Sequence, residues 1–196
     1  MYDKLNITEN HLQALSLFTN GFDREYYIRE VEKLLKISPR TSQLILDDLE
    51  NKGILESKIK GKIRSYNLKR NSLSQKYIIF AEQYKTIAFL EKNTIINEII
   101  EKINPFIDGI GIIFGSYTKG TINKDSDLDI FVVGKYNHEG IKNISKRYGI
   151  EISIKCYPLK TFEKNLTNDA LLKEVLKNHI LFLNAEQFIR MVFKNG

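Results

Sequence analysis

Two short runs in the second half of the chain have residue types and spacing suited to phosphate and metal chemistry. Phe114-Gly115-Ser116 closes one apolar run, and after nine further residues Ser126-Asp127-Leu128-Asp129 opens another. Glycine lets a backbone approach a phosphate closely, and a serine hydroxyl with neighbouring N–H groups can bind phosphate oxygens. Aspartates at i and i+2 of a strand point to the same side, about 6–7 Å apart. Their carboxylates can converge on Mg²⁺, a hard ion that takes oxygen ligands and substrate phosphates. A third carboxylate on a neighbouring strand would complete a two-metal site. Glu151 is the candidate, because Ile150, Ile152 and Ile154 alternate with Glu151, Ser153 and Lys155 and leave the acid on the polar face.

Positioning these groups requires strands ending at the right places. Ile110 to Phe114 reads as a buried strand, Gly115 to Ser126 as a loop, Leu128 to Val133 as a second strand and Ile150 to Tyr157 as a third. Helices are expected over 93–104, which Pro105 limits, and over 139–147, 169–178 and 185–193. A short apolar piece, Ile180 to Leu183, lies between the last two. Asp108 and Asp125 read as turn residues, and Ser126 is placed to orient Asp127 through a local hydrogen bond. Tyr117, inside the loop, is suited either to stacking on a base or to filling space. Cys156 shares the isoleucine face and is expected to be packed and inert.

The first half has a different pattern. Leu12, Leu15 and Phe18 predict a helix over 8–19 with Thr8 as its cap. A second helix is expected over 25–36. Ser38-Pro39 opens a third, with Ile45, Leu46 and Leu49 facing inward and Gly53 as its stop. Residues 54–60 and 63–68 read as two strands around Lys60-Gly61-Lys62. Three short helices followed by a basic hairpin form a winged helix-turn-helix pattern, and Ile28 to Leu68 resembles the winged-helix domains of archaeal and bacterial regulators. Residues 73–91 then read as a connecting helix with a broad apolar stripe.

The net charge of +6 is concentrated. Residues 52–70 contain Lys52, Lys58, Lys60, Lys62, Arg64, Lys69 and Arg70 against Glu56, an excess equal to that of the whole chain. Such a segment can meet phosphates, or it can be a solvated hairpin whose lysines protect a strand edge. The third helix opposes nucleic acid, since Arg40 is outweighed by Asp47, Asp48 and Glu50. Leu44, near its exposed side, points to a protein contact instead. The candidate DNA-binding residues are Arg40, Lys58, Lys60, Lys62 and Arg64.

Gly115-Ser116, ten residues, then Asp127-x-Asp129 resembles the signature of the DNA polymerase beta-like nucleotidyltransferase superfamily, and is most similar to its minimal bacterial and archaeal members. The resemblance covers about residues 93–190. It implies a mixed sheet flanked by helices and transfer of a nucleotidyl group from an NTP, ATP by expectation, with Mg²⁺ or Mn²⁺. By that similarity Gly115 and Ser116 hold the triphosphate, and Asp127 and Asp129 hold metal. Glu151 matches the family's third acid by strand order. Many relatives carry arginine before the loop glycine; here Lys119 precedes Gly120, still basic but unable to make a bidentate contact.

The expected architecture is therefore α/β (α+β): a winged helix-turn-helix domain over 1–71, a connector over 72–92 and a nucleotidyltransferase domain over 93–196. Two functional classes follow. One is an enzyme moving NMP to an acceptor hydroxyl, with a protein acceptor in an antitoxin role. The other is a DNA-binding transcription regulator whose second domain only senses nucleotide. Dimerisation through the winged helix and the 73–91 helix is compatible with both.

Composition excludes other classes. Apolar residues make up 42% and charged residues 28%, with only 3 Pro, which rules out a disordered or collagen-like chain. Cys156 is the single cysteine, so there is no disulfide framework or Cys-rich zinc site. His11, His138 and His179 share no metal-ligand spacing. The polar start, Met1 to Asn10, does not read as a signal peptide, and no apolar run is long enough to span a bilayer. The expected location is cytoplasmic.

Overall fold

The computed structural model describes residues 5–61, 63–123 and 126–195. They fall into two compact units, one up to Ala81 and one from Glu82. The division lies inside a 21-residue helix, so the connector belongs partly to each unit. No helix among the described residues is long and apolar enough to cross a membrane.

The first unit contains α1 (Glu9–Phe18), β1 (Tyr26–Tyr27), α2 (Ile28–Leu35), α3 (Pro39–Asn51), β2 (Leu55–Lys60) and β3 (Ile63–Leu68), followed by the start of α4 (Ser72–Lys92). This is a winged helix: three helices and a three-stranded sheet in the order β1-β3-β2. Ser38 caps α3 by accepting the Thr41 N–H at 3.0 Å, and Pro39 occupies the first turn, where its missing N–H costs nothing. Ala14, Leu15, Phe18, Val31, Ile45, Leu46 and Leu49 turn inward to form the core.

The helix expected over 25–36 starts later, at Ile28. Tyr26 and Tyr27 instead pair antiparallel with Tyr66 and Ser65 as the third strand. Tyr26 is buried edge-on against Phe18 at 5.0 Å, and its hydroxyl donates to the Leu17 carbonyl. This aromatic anchoring holds the dipeptide extended, and the Glu30 carboxylate accepts the Tyr27 N–H to start α2.

The second unit continues with α5 (Thr94–Ile103), a 3-10 turn (Asn104–Phe106), β4 (Ile107–Phe114), the single turn α6 (Ser116–Lys119), β5 (Leu128–Tyr136), α7 (His138–Tyr148) and β6 (Ile152–Tyr157). It ends with α8 (Leu159–Asn165), α9 (Ala170–Lys177), β7 (Ile180–Leu183) and α10 (Ala185–Asn195). The sheet order is β6-β5-β4-β7. β5 runs parallel to β6, whereas β4 is antiparallel to both β5 and β7, so the sheet is mixed. The apolar piece Ile180–Leu183 is therefore an edge strand, and Asp108 lies within β4 opposite Lys135 rather than in a turn. Asp125 lies outside the described residues.

Strand alternation divides the side chains between two layers. Ile113, Leu128, Ile130 and Val132 pack with Ile96, Ile99, Ile100 and Ile103 of α5 and with Ile141 of α7, and Cys156 packs beside them as expected. On the opposite face Phe131, Phe162 and Phe188 form a chain of rings.

His11 closes the start of α1. Its Nδ1 accepts the Thr8 N–H at 3.2 Å, while Nε2 faces Asp48 at 3.2 Å. That arrangement needs a neutral ring, since a proton on Nδ1 would break the Thr8 bond. Burial lowers the His11 pKa from its ordinary 6.5, against the pull of Asp48. A base with a lowered folded pKa binds fewer protons folded than unfolded between the two values. Stability therefore falls as pH drops through 6.5 and levels off below the folded pKa. Thermal denaturation from pH 7.5 down to 5 is expected to show this loss in the parent protein and a smaller one in His11→Ala, whose deficit of about 1 kcal/mol of capping at pH 7.5 shrinks as the parent's ring protonates. Identical pH profiles for the two proteins would contradict this role.

Candidate active site

The site is set by strand register. Phe114, the last residue of β4, pairs directly with Asp129 of β5, so the next residue, Gly115, runs past the Asp129 side chain. Gly115 has φ +77° and ψ −145°, a conformation that an L side chain rarely adopts. A Cβ there would collide with the Asp129 carboxylate and stand 3.0 Å from its Cγ and 3.1 Å from its Cβ. The loop thus turns tightly over an acid, and only glycine allows that approach.

Asp127 precedes β5 by one residue, and alternation puts it on the same face as Asp129. Both are half-buried. No described residue forms a hydrogen bond or ion pair to either carboxylate. The Asp129 carboxyl is held above the usual range, first by burial, then by the charges of Asp127 and Glu174, with Lys155 and Lys119 pulling the other way. Two unpartnered carboxylates that repel one another beside a close-running backbone form a hard-oxygen donor set, which suits a divalent cation.

The loop residues differ in their partners. Ser116 opens α6, and its hydroxyl makes no hydrogen bond to the described residues. Tyr117 packs against the core below, which favours the space-filling reading; burial, then the charge of Asp127, raise its phenol pKa. The Thr118 hydroxyl lies 3.0 Å from the Gly115 carbonyl and 3.2 Å from that of Asn178. The Lys119 ammonium pairs with Glu174 of α9 at 2.8 Å. Ser126 does not orient Asp127: its hydroxyl accepts the Asn123 N–H and donates to the Asn123 side chain, closing the loop on itself.

Glu151 is exposed and lies one residue before β6. Its carbonyl accepts the Leu128 N–H at 2.8 Å, and the parallel pairing of Leu128 with Ile152 makes it the lateral neighbour of Asp127. It also borders a cavity of about 500 Å³ between α7 and β6. No group of three His, Cys, Asp or Glu among the described residues could by itself hold a metal. Sequence reasoning missed Thr118, whose loop position was a usable signal. It also missed Glu174, 55 residues from its partner, for which no local pattern exists.

In the winged helix the basic residues are unequally free. Arg64 donates to Asp47 at 3.1 Å, to Ser57 at 3.0 Å and to Glu50, and lies over the Tyr66 ring. Lys52 pairs with Asp48, and Arg70 with Asp23. The α3 acids expected to oppose DNA are thus taken up by internal bonds. Lys58 is exposed, and Arg40 is exposed with one long contact to Gln43. Nothing is described for the Lys60 side chain, and Lys62 lies outside the described residues.

The fold and site define a two-unit α/β protein whose second unit presents a glycine–serine turn against an Asp-x-Asp strand. Residues 93–183 match the family model of the nucleotidyltransferase domain. No curated protein matches the chain. Among solved structures, the adhesin competence repressor AdcR from Streptococcus pyogenes is similar at a TM-score of 0.40 with 12% identity, over 47% of this chain and 68% of that one. TrmBL2, an archaeal chromatin protein, is similar at a TM-score of 0.27 with 15% identity, over 83% of this chain and 67% of that one.

Gly115→Ala is expected to destabilise the protein by roughly 1–3 kcal/mol, because a side chain there meets both an unfavourable backbone conformation and Asp129. Denaturant unfolding measures this. An unchanged midpoint would mean that the turn relaxes freely and does not depend on glycine.

Proposed function

We propose that the second unit transfers a nucleotidyl group from an NTP, ATP foremost, to an acceptor hydroxyl. The observation that carries this reading is the tight passage of Gly115 over the Asp127–Asp129 pair, to which no described residue bonds, within a segment that matches a nucleotidyltransferase domain. Asp127 and Asp129 would hold Mg²⁺ or Mn²⁺, with Glu151 as the third carboxylate by its register beside Asp127. When bound, the cation neutralises phosphate charge and lowers the pKa of the acceptor hydroxyl.

The chain's own groups do the rest. The Ser116 hydroxyl donates to a phosphate oxygen, and Lys119 supplies positive charge to the triphosphate. Glu151 takes the proton of the acceptor hydroxyl as general base. The acceptor oxygen bonds to the α-phosphorus as the bond to the leaving pyrophosphate breaks. The favoured acceptor is a hydroxyl of a partner protein, in an antitoxin role. Turnover with NTP alone should be slow, since water is a poor substitute for a positioned acceptor.

Asp127→Asn combined with Asp129→Asn is expected to abolish metal-dependent NTP binding in calorimetry. Asp127→Ala should reduce NMP incorporation from labelled NTP into a co-expressed partner by at least about 10²-fold. Ser116→Ala should mainly weaken NTP binding. Metal-dependent binding that survives the double substitution would refute the site.

A second reading is favoured by one observation: α3 loses its opposing acids to Arg64 and Lys52, which leaves Arg40 and Lys58 exposed on the winged helix. On this reading the first unit binds DNA through the wing. Lys58→Ala should then lower the slope of log K against log salt by about 0.9, the value of one phosphate contact. Arg64→Ala should instead lower thermal stability, because it takes the cation away from the Asp47 and Glu50 carboxylates and leaves them only the hydroxyls of Tyr66 and Ser57. A full loss of DNA affinity in Arg64→Ala at unchanged stability would place Arg64 at the DNA rather than in the fold.

A further inference from the structure

The corner between α9 and β7 touches the glycine–serine turn at two consecutive residues. The Asn178 carbonyl lies 3.2 Å from the Thr118 hydroxyl, and Glu174 pairs with the Lys119 ammonium at 2.8 Å. The corner is itself anchored: His179 is buried, with Nδ1 at 3.1 Å from the Leu176 carbonyl and Nε2 at 3.2 Å from the buried Glu82 carboxylate. Glu174 is thereby presented to the loop from a fixed support. The pair it forms is half-exposed, at 40% for Lys119 and 50% for Glu174. An ion pair so exposed is weak and exchangeable. A triphosphate carries several more negative oxygens than one carboxylate, and it would take the lysine in competition.

We propose that Glu174 is a built-in competitor of the nucleotide's phosphates for Lys119, and so a positioning residue that sets how tightly this site holds an NTP. The proposal rests on the reading that this loop binds a triphosphate. Without nucleotide, Lys119 is neutralised and held toward α9. When the phosphates arrive, Lys119 leaves Glu174 for them, and Glu174 turns to solvent. The affinity of the site is the direct Lys119–phosphate attraction less the cost of breaking the existing pair. Thr118 keeps the backbone of the turn in place while the lysine moves, because its link to Asn178 is independent of either charge.

The test uses four full-length proteins: the parent, Glu174→Gln, Lys119→Ala and the double variant. Each is titrated calorimetrically with a non-hydrolysable ATP analogue in the presence of Mg²⁺, at low and at high salt. Glu174→Gln should tighten binding about two- to fivefold at low salt, the range expected of an exposed pair, and less at high salt. Lys119→Ala should weaken binding, and Glu174→Gln added to it should then have no effect. Equal tightening in the presence and absence of Lys119 would overturn the proposal, since Glu174 would merely repel phosphate. Weaker binding with a lowered melting temperature in Glu174→Gln would overturn it as well, because Glu174 would then be a strut for the loop. Binding by the parent without response to Glu174→Gln removes this inference and leaves the nucleotide reading standing. No binding by any of the four removes both.

Discussion

The approach of Gly115 to Asp129 is the constraint on which the second unit turns. It exists because β4 and β5 pair with Phe114 opposite Asp129, and because the residue after Phe114 has no side chain. A shift of one residue would exchange the faces, putting Asp129 into the isoleucine layer and Ile130 into the site. The register is held by burial on that layer: Ile113, Leu128, Ile130 and Val132 are all covered by α5 and α7. The hydrophobic contacts beneath the sheet therefore position a polar site above it.

The helices that follow the central strands are more than packing. α9 and its C-cap bring Glu174 and Asn178 to the loop, and the buried His179–Glu82 contact ties that corner to α4. Burying the Glu82 carboxylate costs desolvation, which its contact with His179 at 3.2 Å offsets in part. The Lys85 ammonium, 3.0 Å from Glu82, adds a compensating charge. The glycine–serine loop and the end of the connecting helix thus share one supported corner within the second unit.

In the first unit, ion pairing changes the meaning of composition. The segment 52–70 carries the whole net charge of the chain, yet Lys52, Arg64 and Arg70 are bound to Asp48, Asp47, Glu50 and Asp23. Tyr66 joins the same cluster: its hydroxyl donates to Asp47 at 2.7 Å, and burial, reinforced by that bond, pushes the phenol pKa well above its ordinary range. Charge summed along the sequence counts these residues as exposed, whereas the fold uses Arg64 to hold the wing to α3, Lys52 to close the end of α3 and Arg70 to reach Asp23. The basic surface left to meet a partner is correspondingly smaller.

The sequence alone determined what short-range physics can write into a pattern. Glycine and serine after an apolar strand, the i, i+2 aspartates, the alternation from Ile150 to Tyr157 and the Ser38-Pro39 helix start all act within a few residues. Each was legible; the winged helix followed from such local patterns, and the mixed sheet was what the resemblance carried by the glycine–serine and Asp-x-Asp motif implied. The tertiary structure decided which elements lie side by side. Arg64 finds Asp47 across 17 residues, and Lys119 finds Glu174 across 55. Tyr26 and Tyr27 become a strand only because β3 stands next to them, and Ser126 turns to Asn123 rather than Asp127 because the loop closes on itself. No local periodicity encodes such meetings. They depend on how buried apolar faces stack, and that stacking fixes which charged side chains are brought within reach of one another.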